Sequence, residues 1–134
     1  MAGFSNYLEA KLLNQVFGGT AYVAPATLWL GLSVGDPTDT GSLAGEPVGN
    51  AYERVAITNN TTNFPNVTAG SKASGATFTL PRALGSWGTI THFFYSDAQT
   101  AGNMLGSGLL SEAKAITTGD TPNFLSGSLT ITLD

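Results

Sequence analysis

His92 is the only histidine of the chain and the residue best suited to acid–base chemistry near neutral pH. It lies in the stretch GSWGTITHFFYSD, Gly85 to Asp97. A catalytic histidine works with an orienting carboxylate and a nucleophile, and neither a G-x-S-x-G turn nor another known nucleophile motif accompanies this one. Read with a period of two, the stretch places aromatic side chains on both faces of a strand, as in a strand packed between two layers or a strand whose outer face lies against a partner. We therefore predict that His92 is a packing or interface residue, and we predict no catalytic residue and no enzymatic activity.

Three carboxylates are close together in the segment GDPTDTGSLAGE, namely Asp36, Asp39 and Glu46. Oxygen ligands of this kind can bind Ca²⁺. Their spacing does not match the D-x-[DN]-x-[DN]-G loop, however, and Asp-Pro and Asp-Thr-Gly are common turn formers. The glycine pairs of GGT and GSGLL also lack the order of the phosphate-binding loops. The sequence thus predicts a turn here, with no metal and no cofactor.

Trp29 and Trp87 are the two tryptophans. Paired indoles can form a platform for a sugar ring, but tryptophan more often anchors a core or an interface. No paired Asp/Asn and aromatic motif supports sugar binding, so we favour the anchor role and keep the sugar platform as an alternative.

The composition indicates one domain whose surface carries few charges. The chain has 134 residues and a net charge of −4, and only 10% of the residues are charged, against about 25% in a typical globular domain. The five basic residues are scattered, which argues against nucleic-acid binding. No stretch approaches the ~20 apolar residues that cross a bilayer, and the start lacks the pattern of a secretory signal, so we expect a soluble protein without membrane contact. A surface of Thr, Ser, Asn and Gly is less costly to desolvate than a charged one and suits assembly, although β-structure and turns favour the same residues.

One segment, SNYLEAKLLNQVFGG, predicts an amphipathic helix over residues 6–17. Asn6 followed three residues later by Glu9 resembles a capping box, and Gly18 and Gly19 supply a left-handed stop. Five apolar side chains gather on one face at 3.6 residues per turn: Leu8, Leu12, Leu13, Val16 and Phe17. That face requires a cover, either from the rest of the domain or from another subunit.

The remainder of the chain alternates with a period of two, which predicts strands. The runs are TLWLGLS, ERVAIT, ATFTLP, TITHFFYS, NMLGSGLL and SLTITLD. Turn-rich connections separate them, so we predict a mainly β fold: a single antiparallel β-sandwich, jelly-roll-like, with one N-terminal helix and a single domain over residues 1–134. The connections Asp36–Asn50 and Asn59–Gly75 are long for a compact domain, and we expect them to reach a partner.

The whole chain also resembles a family of small virion proteins of tailed bacteriophages, whose members are often labelled tail-fibre proteins. The segments that carry the resemblance are MAGFSNYLEAKLLNQVFGGTAYVAPATLWLGLSVGDPTD, YERVAITNN, GSWGTITHFFYSD, AGNMLGSGLL and GDTPNFLSGSLTITLD. The resemblance implies a helix followed by a β-sandwich and carries no catalytic residue. Similar small β-sandwich proteins of phages act as cement or decoration proteins on the capsid.

The resemblance implies a structural virion protein, made in the host cytoplasm, that binds other virion proteins and forms a homo-oligomer. A compact chain without a repeat or shaft favours capsid cement bound to the major capsid protein, and the alternative is a tail or tail-fibre component that contributes to host attachment. Eight residues are the predicted partner interface: Leu8, Leu12, Val16, Phe17, Trp29, Trp87, Phe93 and Tyr95.

Overall fold

A computed structural model describes residues 3–133 and shows a mainly β fold with a single helix in that range. The elements, in chain order, are β1 Gly3–Phe4, α1 Asn6–Val16, β2 Thr27–Ser33, β3 Val55–Thr58, β4 Ser71–Ala73, β5 Phe78–Thr79, β6 Gly88–Ser96, β7 Met104–Ile116, β8 Asn123–Phe124 and β9 Thr130–Thr132. Every strand pair in this range is antiparallel. The predicted mainly β class with one N-terminal helix is confirmed.

The N-cap of helix α1 lies one residue before the predicted cap, Asn6. The N-cap is Ser5, whose hydroxyl accepts a hydrogen bond from the Leu8 N–H at 3.2 Å and donates one to the Met104 carbonyl at 2.5 Å. Serine at this position satisfies an N–H that the helix leaves unpaired, and here it also ties the helix to β7. The predicted capping role of Asn6 is therefore wrong, because Asn6 is already the first helical residue.

A five-stranded sheet in the order β1-β7-β6-β2-β3 forms the frame of the domain. Its central strand, β6, pairs with β2 so that Leu30 lies opposite Tyr95 and Gly31 opposite Phe94. Phe94 is fully buried and its ring lies over Gly31, which has no side chain to obstruct it. All six predicted strand runs contain strands, and β7 extends beyond its predicted run to Ile116.

Two pairs of short strands, β4-β9 and β5-β8, form separate two-stranded sheets. The hydrophobic core lies between the large sheet and these pairs, since residues of both belong to one packed cluster: Leu30, Leu32, Ile57, Ile90, Phe93 and Tyr95 from the large sheet, with Phe78 and, next to the short strands, Leu80 and Leu129. Strand β4 lies inside the predicted Asn59–Gly75 loop. Its three residues form a strand because they pair with β9. Three residues are too few for an alternation of apolar and polar side chains to predict this strand.

Candidate functional site

His92 is enclosed between neighbouring strands, opposite Ser33 of β2, and is 8% exposed. Its Nδ1 lies 2.7 Å from the Thr91 hydroxyl, and its Nε2 lies 3.8 Å from a carboxylate oxygen of Asp36. Burial lowers the pKa of His92, and the nearby Asp36 carboxylate opposes this effect. A largely buried imidazole that contacts its own strand and an adjacent loop has the contacts of a packing residue.

Two of the three candidate calcium ligands, Asp36 and Glu46, have separate contacts. Asp36 closes a turn by accepting the Thr38 N–H at 2.9 Å, whereas Glu46 forms an ion pair with Arg54. Within the described range 3–133, no group of three or more His, Asp or Glu residues is arranged to hold a metal ion.

Arg54 is a buried cation that the sequence analysis did not identify. Its side chain is 1% exposed, and its Nε and Nη2 donate to the two carboxylate oxygens of Glu46 at 2.7 and 2.8 Å. Its Nη1 donates to the Ser96 hydroxyl at 3.1 Å and to the carbonyls of Ala98 and Ala101 at 2.6 and 3.0 Å. This arrangement, the Arg54 clasp, joins three segments: the β2–β3 connection, the end of β6 and the turn that follows it.

The Arg54 clasp explains why the Asp36–Asn50 connection packs on its own domain. Glu46 also accepts a hydrogen bond from the Tyr52 hydroxyl at 2.6 Å, and that hydroxyl accepts one from the Leu32 N–H at 3.0 Å. Burial and the Glu46 carboxylate raise the pKa of Tyr52. The Arg54 guanidinium lies 5.1 Å from the centre of the Phe94 ring. The Asp36–Asn50 connection is thus bound to its own sheet. The sequence feature that could have indicated this contact is Arg54, a basic residue in a chain that has only five.

Three of the eight predicted interface residues lie in the core instead. Trp87, Phe93 and Tyr95 are 2–5% exposed. Trp87 donates its indole N–H to the Asn50 carbonyl at 2.9 Å and packs edge-on against Tyr52. These three side chains pack within the domain because residues of the short-strand sheets cover this face of β6, so all three are core residues, and Tyr95 also lines an apolar groove beside α1.

Trp29 and Trp87 do not form a common platform. Trp29 alternates with Leu28 and Leu30 along β2, so it lies on the opposite face of the sheet from the core cluster that contains Trp87. Trp29 is partly buried and pairs in register with Ala56 and Ser96. The alternative of a sugar platform built from both indoles is therefore wrong.

An apolar groove of about 400 Å³ lies beside α1. We call it the helix-side groove. Leu8 and Leu12 of α1 line one wall, and its other lining residues include Tyr22, Leu28, Phe64, Val67, Ala69, Lys72, Leu105, Ile131 and Leu133. Most of these residues come from segments far apart in the chain. The periodicity of the helix predicts that Leu8 and Leu12 share an apolar face. The sequence does not predict the opposite wall, because its residues lie in a predicted loop and at the end of β9.

The apolar face of α1 continues beyond this groove. None of the eleven residues of the helix is buried. Leu13, Val16 and Phe17 are 58%, 69% and 75% exposed and do not line the groove. We call these three side chains the helix ridge. Of the predicted interface residues, the four from the helix segment thus lie at the groove or on the ridge.

The chain was compared with known proteins. No curated protein sequence matches it. The model of a family described as podophage GP4 fiber I protein gp80 matches residues 3–132, which is nearly the whole chain. The description names a fibre, which supports the predicted tail-fibre alternative better than the capsid-cement prediction. On this match, the chain belongs to the podophage GP4 fiber I protein gp80 family.

Proposed function

We propose that this chain is a non-enzymatic structural subunit of the podophage tail fibre, and that it attaches to other virion proteins through the helix-side groove and the helix ridge. The observation that carries this proposal is α1: an amphipathic helix with no buried residue, next to an apolar groove. Residues 1–134 act as one domain, and the two short-strand sheets serve as the second layer of a sandwich.

The energetics of the exposed surface support this use. Monomeric soluble proteins rarely expose contiguous apolar patches larger than a few hundred Å². Each 100 Å² of apolar surface removed from water contributes about 2.5 kcal/mol. The apolar helix surface would therefore be strongly stabilised by a partner, while the Arg54 clasp and the core keep the frame that presents it rigid.

The low charge of the chain agrees with a role in assembly. Only 10% of its residues are charged, so a partner that covers the surface removes water from few charged side chains.

Helix α1 has eleven residues, and no helix within residues 3–133 is long and apolar enough to cross a membrane.

The test compares wild-type particles with particles that lack this protein. Loss of a fibre subunit leaves heads that retain their DNA on heating but abolishes adsorption to host cells. Loss of a capsid cement protein has the opposite effect, with normal adsorption and heads that release DNA at lower temperature. Gold-labelled antibodies against the chain should mark tails in electron micrographs. Labelled heads, or normal adsorption without the protein, would refute the proposed function.

A further inference from the structure

We propose that the helix ridge of a second copy of this chain occupies the helix-side groove, so that the subunits associate head to tail. This inference rests on the proposed function, because it names the partner of the same surface. Four observations support it: the size of the two surfaces, their positions on one helix, their charges and the nature of the groove lining.

The two surfaces are large enough for a specific interface. The ridge residues and Val23, which is 87% exposed and follows the groove residue Tyr22 in the chain, include one aromatic side chain at 75% exposure. An aromatic side chain alone can bury about 150–250 Å², so the four side chains expose on the order of 500 Å². Counting both partners, the contact reaches the roughly 1,000 Å² that a biological interface needs.

The groove suits apolar side chains. Its volume of about 400 Å³ falls within the roughly 300–1,000 Å³ of protein pockets that bury small, mostly apolar ligands. Aliphatic and aromatic side chains form most of its lining, among them Leu12, Val67 and Ile131. Leucine, valine and phenylalanine on the ridge match this chemistry.

The ridge and the helix wall of the groove are formed by different residues of α1. Leu8 and Leu12 face the groove, whereas Val16 and Phe17 lie one turn further along and do not line it. A protrusion and a complementary recess at different places on one molecule form a heterologous contact between copies. Such contacts close into a ring when the rotation between subunits is a simple fraction of a turn.

The negative end of the α1 dipole at the ridge complements the positive charge of Lys72 in the groove. The last turn of α1 contains no basic side chain, so the negative end of its dipole is not compensated within the helix. Lys72 lines the groove, and its ammonium group has a long hydrogen bond of 3.4 Å to the Phe64 carbonyl. A ridge that enters the groove brings the C-terminal end of one helix close to Lys72 of the other copy.

The test measures self-association of the full chain by sedimentation velocity over a range of concentrations. Phe17→Asp places a charge on the ridge, Ala69→Trp fills the groove from an exposed position, and Lys72→Glu reverses the groove charge. We expect the wild type to form oligomers and the ridge and groove variants to dissociate about 100-fold more readily. Val48→Asp is the matched control, because Val48 is 94% exposed and outside the groove, and it should associate like the wild type.

Mixing distinguishes a ridge-in-groove contact from a contact between two ridges or two grooves. The Phe17→Asp variant keeps an intact groove, and the Ala69→Trp variant keeps an intact ridge. An equimolar mixture should therefore form a 1:1 heterodimer that neither variant forms alone. If Ala69→Trp is unfolded by circular dichroism, Lys72→Glu takes its place in the mixture. Either of two results overturns the inference. One is the absence of a heterodimer in the mixture, and the other is a wild type that stays monomeric over the whole concentration range of the sedimentation experiment.

Failure of this inference differs from failure of the proposed function. A monomeric wild type that is still found on tails, and is lost from particles in the Phe17→Asp variant, shows that another virion protein contacts the helix ridge. In that case the fibre function stands and the second copy is excluded. Labelling of heads would instead remove the proposed function itself.

Discussion

Removing the Arg54 guanidinium should destabilise the fold strongly, and the Arg54 clasp gives the size of the effect. Arg54→Met keeps a long apolar side chain beside the Phe94 ring but leaves the Glu46 carboxylate without its cation. Breaking a buried ion pair on one side costs about 3–5 kcal/mol. The side chain of Glu46 is 16% exposed and regains some water, so we expect a value near the lower end, about 3 kcal/mol.

Urea unfolding followed by tryptophan fluorescence measures this loss, because Trp87 is buried in the folded state. With a slope of about 1–3 kcal/mol/M, the midpoint should fall by about 1–3 M urea, and the melting temperature by about 10 °C. Lys114→Met is the matched control, since it removes an exposed cation and should change the stability by less than about 0.5 kcal/mol.

A double-mutant cycle assigns the effect to the ion pair. Glu46→Gln alone should also destabilise the fold, and the double variant should be less destabilised than the sum of the two single variants, because the pair shares one interaction. Additive losses, or a midpoint for Arg54→Met equal to that of Lys114→Met, would refute the reasoning.

Three further predictions concern single positions. The wild-type free energy of unfolding should fall as the pH is lowered from 7.5 to 5.5. The reason is that unfolded His92, with an ordinary pKa of about 6.5, binds a proton more readily than the buried imidazole, whose pKa is lowered. His92→Gln should reduce this fall, and equal falls in both proteins would contradict the prediction. Gly31→Ala should cost about 1–3 kcal/mol, because its new methyl group would overlap the Phe94 ring. Gly35→Ala, with no atom within 4 Å, should stay within about 0.5 kcal/mol, so equal losses in these two variants in urea titrations would count against the packing argument. Ala51→Gly should raise the stability by about 0.5–1 kcal/mol in the same titration, because Ala51 has a φ of +66°, and a decrease would show that this backbone is not strained.

The sequence predicted the elements whose patterns are local. Helix α1 is confirmed within one residue of the predicted end at Phe17, because apolar spacing and the Gly18-Gly19 pair are properties of adjacent residues. Strand β6 is confirmed as a strand buried on both faces, because aromatic residues alternate on both sides of it.

The features that depend on contacts across the chain could not be predicted. Strand β4 forms only against β9, about 60 residues later. The partners of Arg54 come from the β2–β3 connection and from the turn after β6, and no local pattern links these segments. The sequence does not decide whether Trp87 and Tyr95 lie in an interface or in the core, because aromatic residues suit both, and only the packing of the sheets distinguishes them.

The measurement that tests the central claim most directly is the location of this domain by cryo-electron microscopy of purified particles. The fibre account predicts density for the domain on the tail, with α1 covered by a neighbouring subunit. Density at the symmetry axes of the head, or a tail-bound domain whose helix ridge faces solvent, would contradict it.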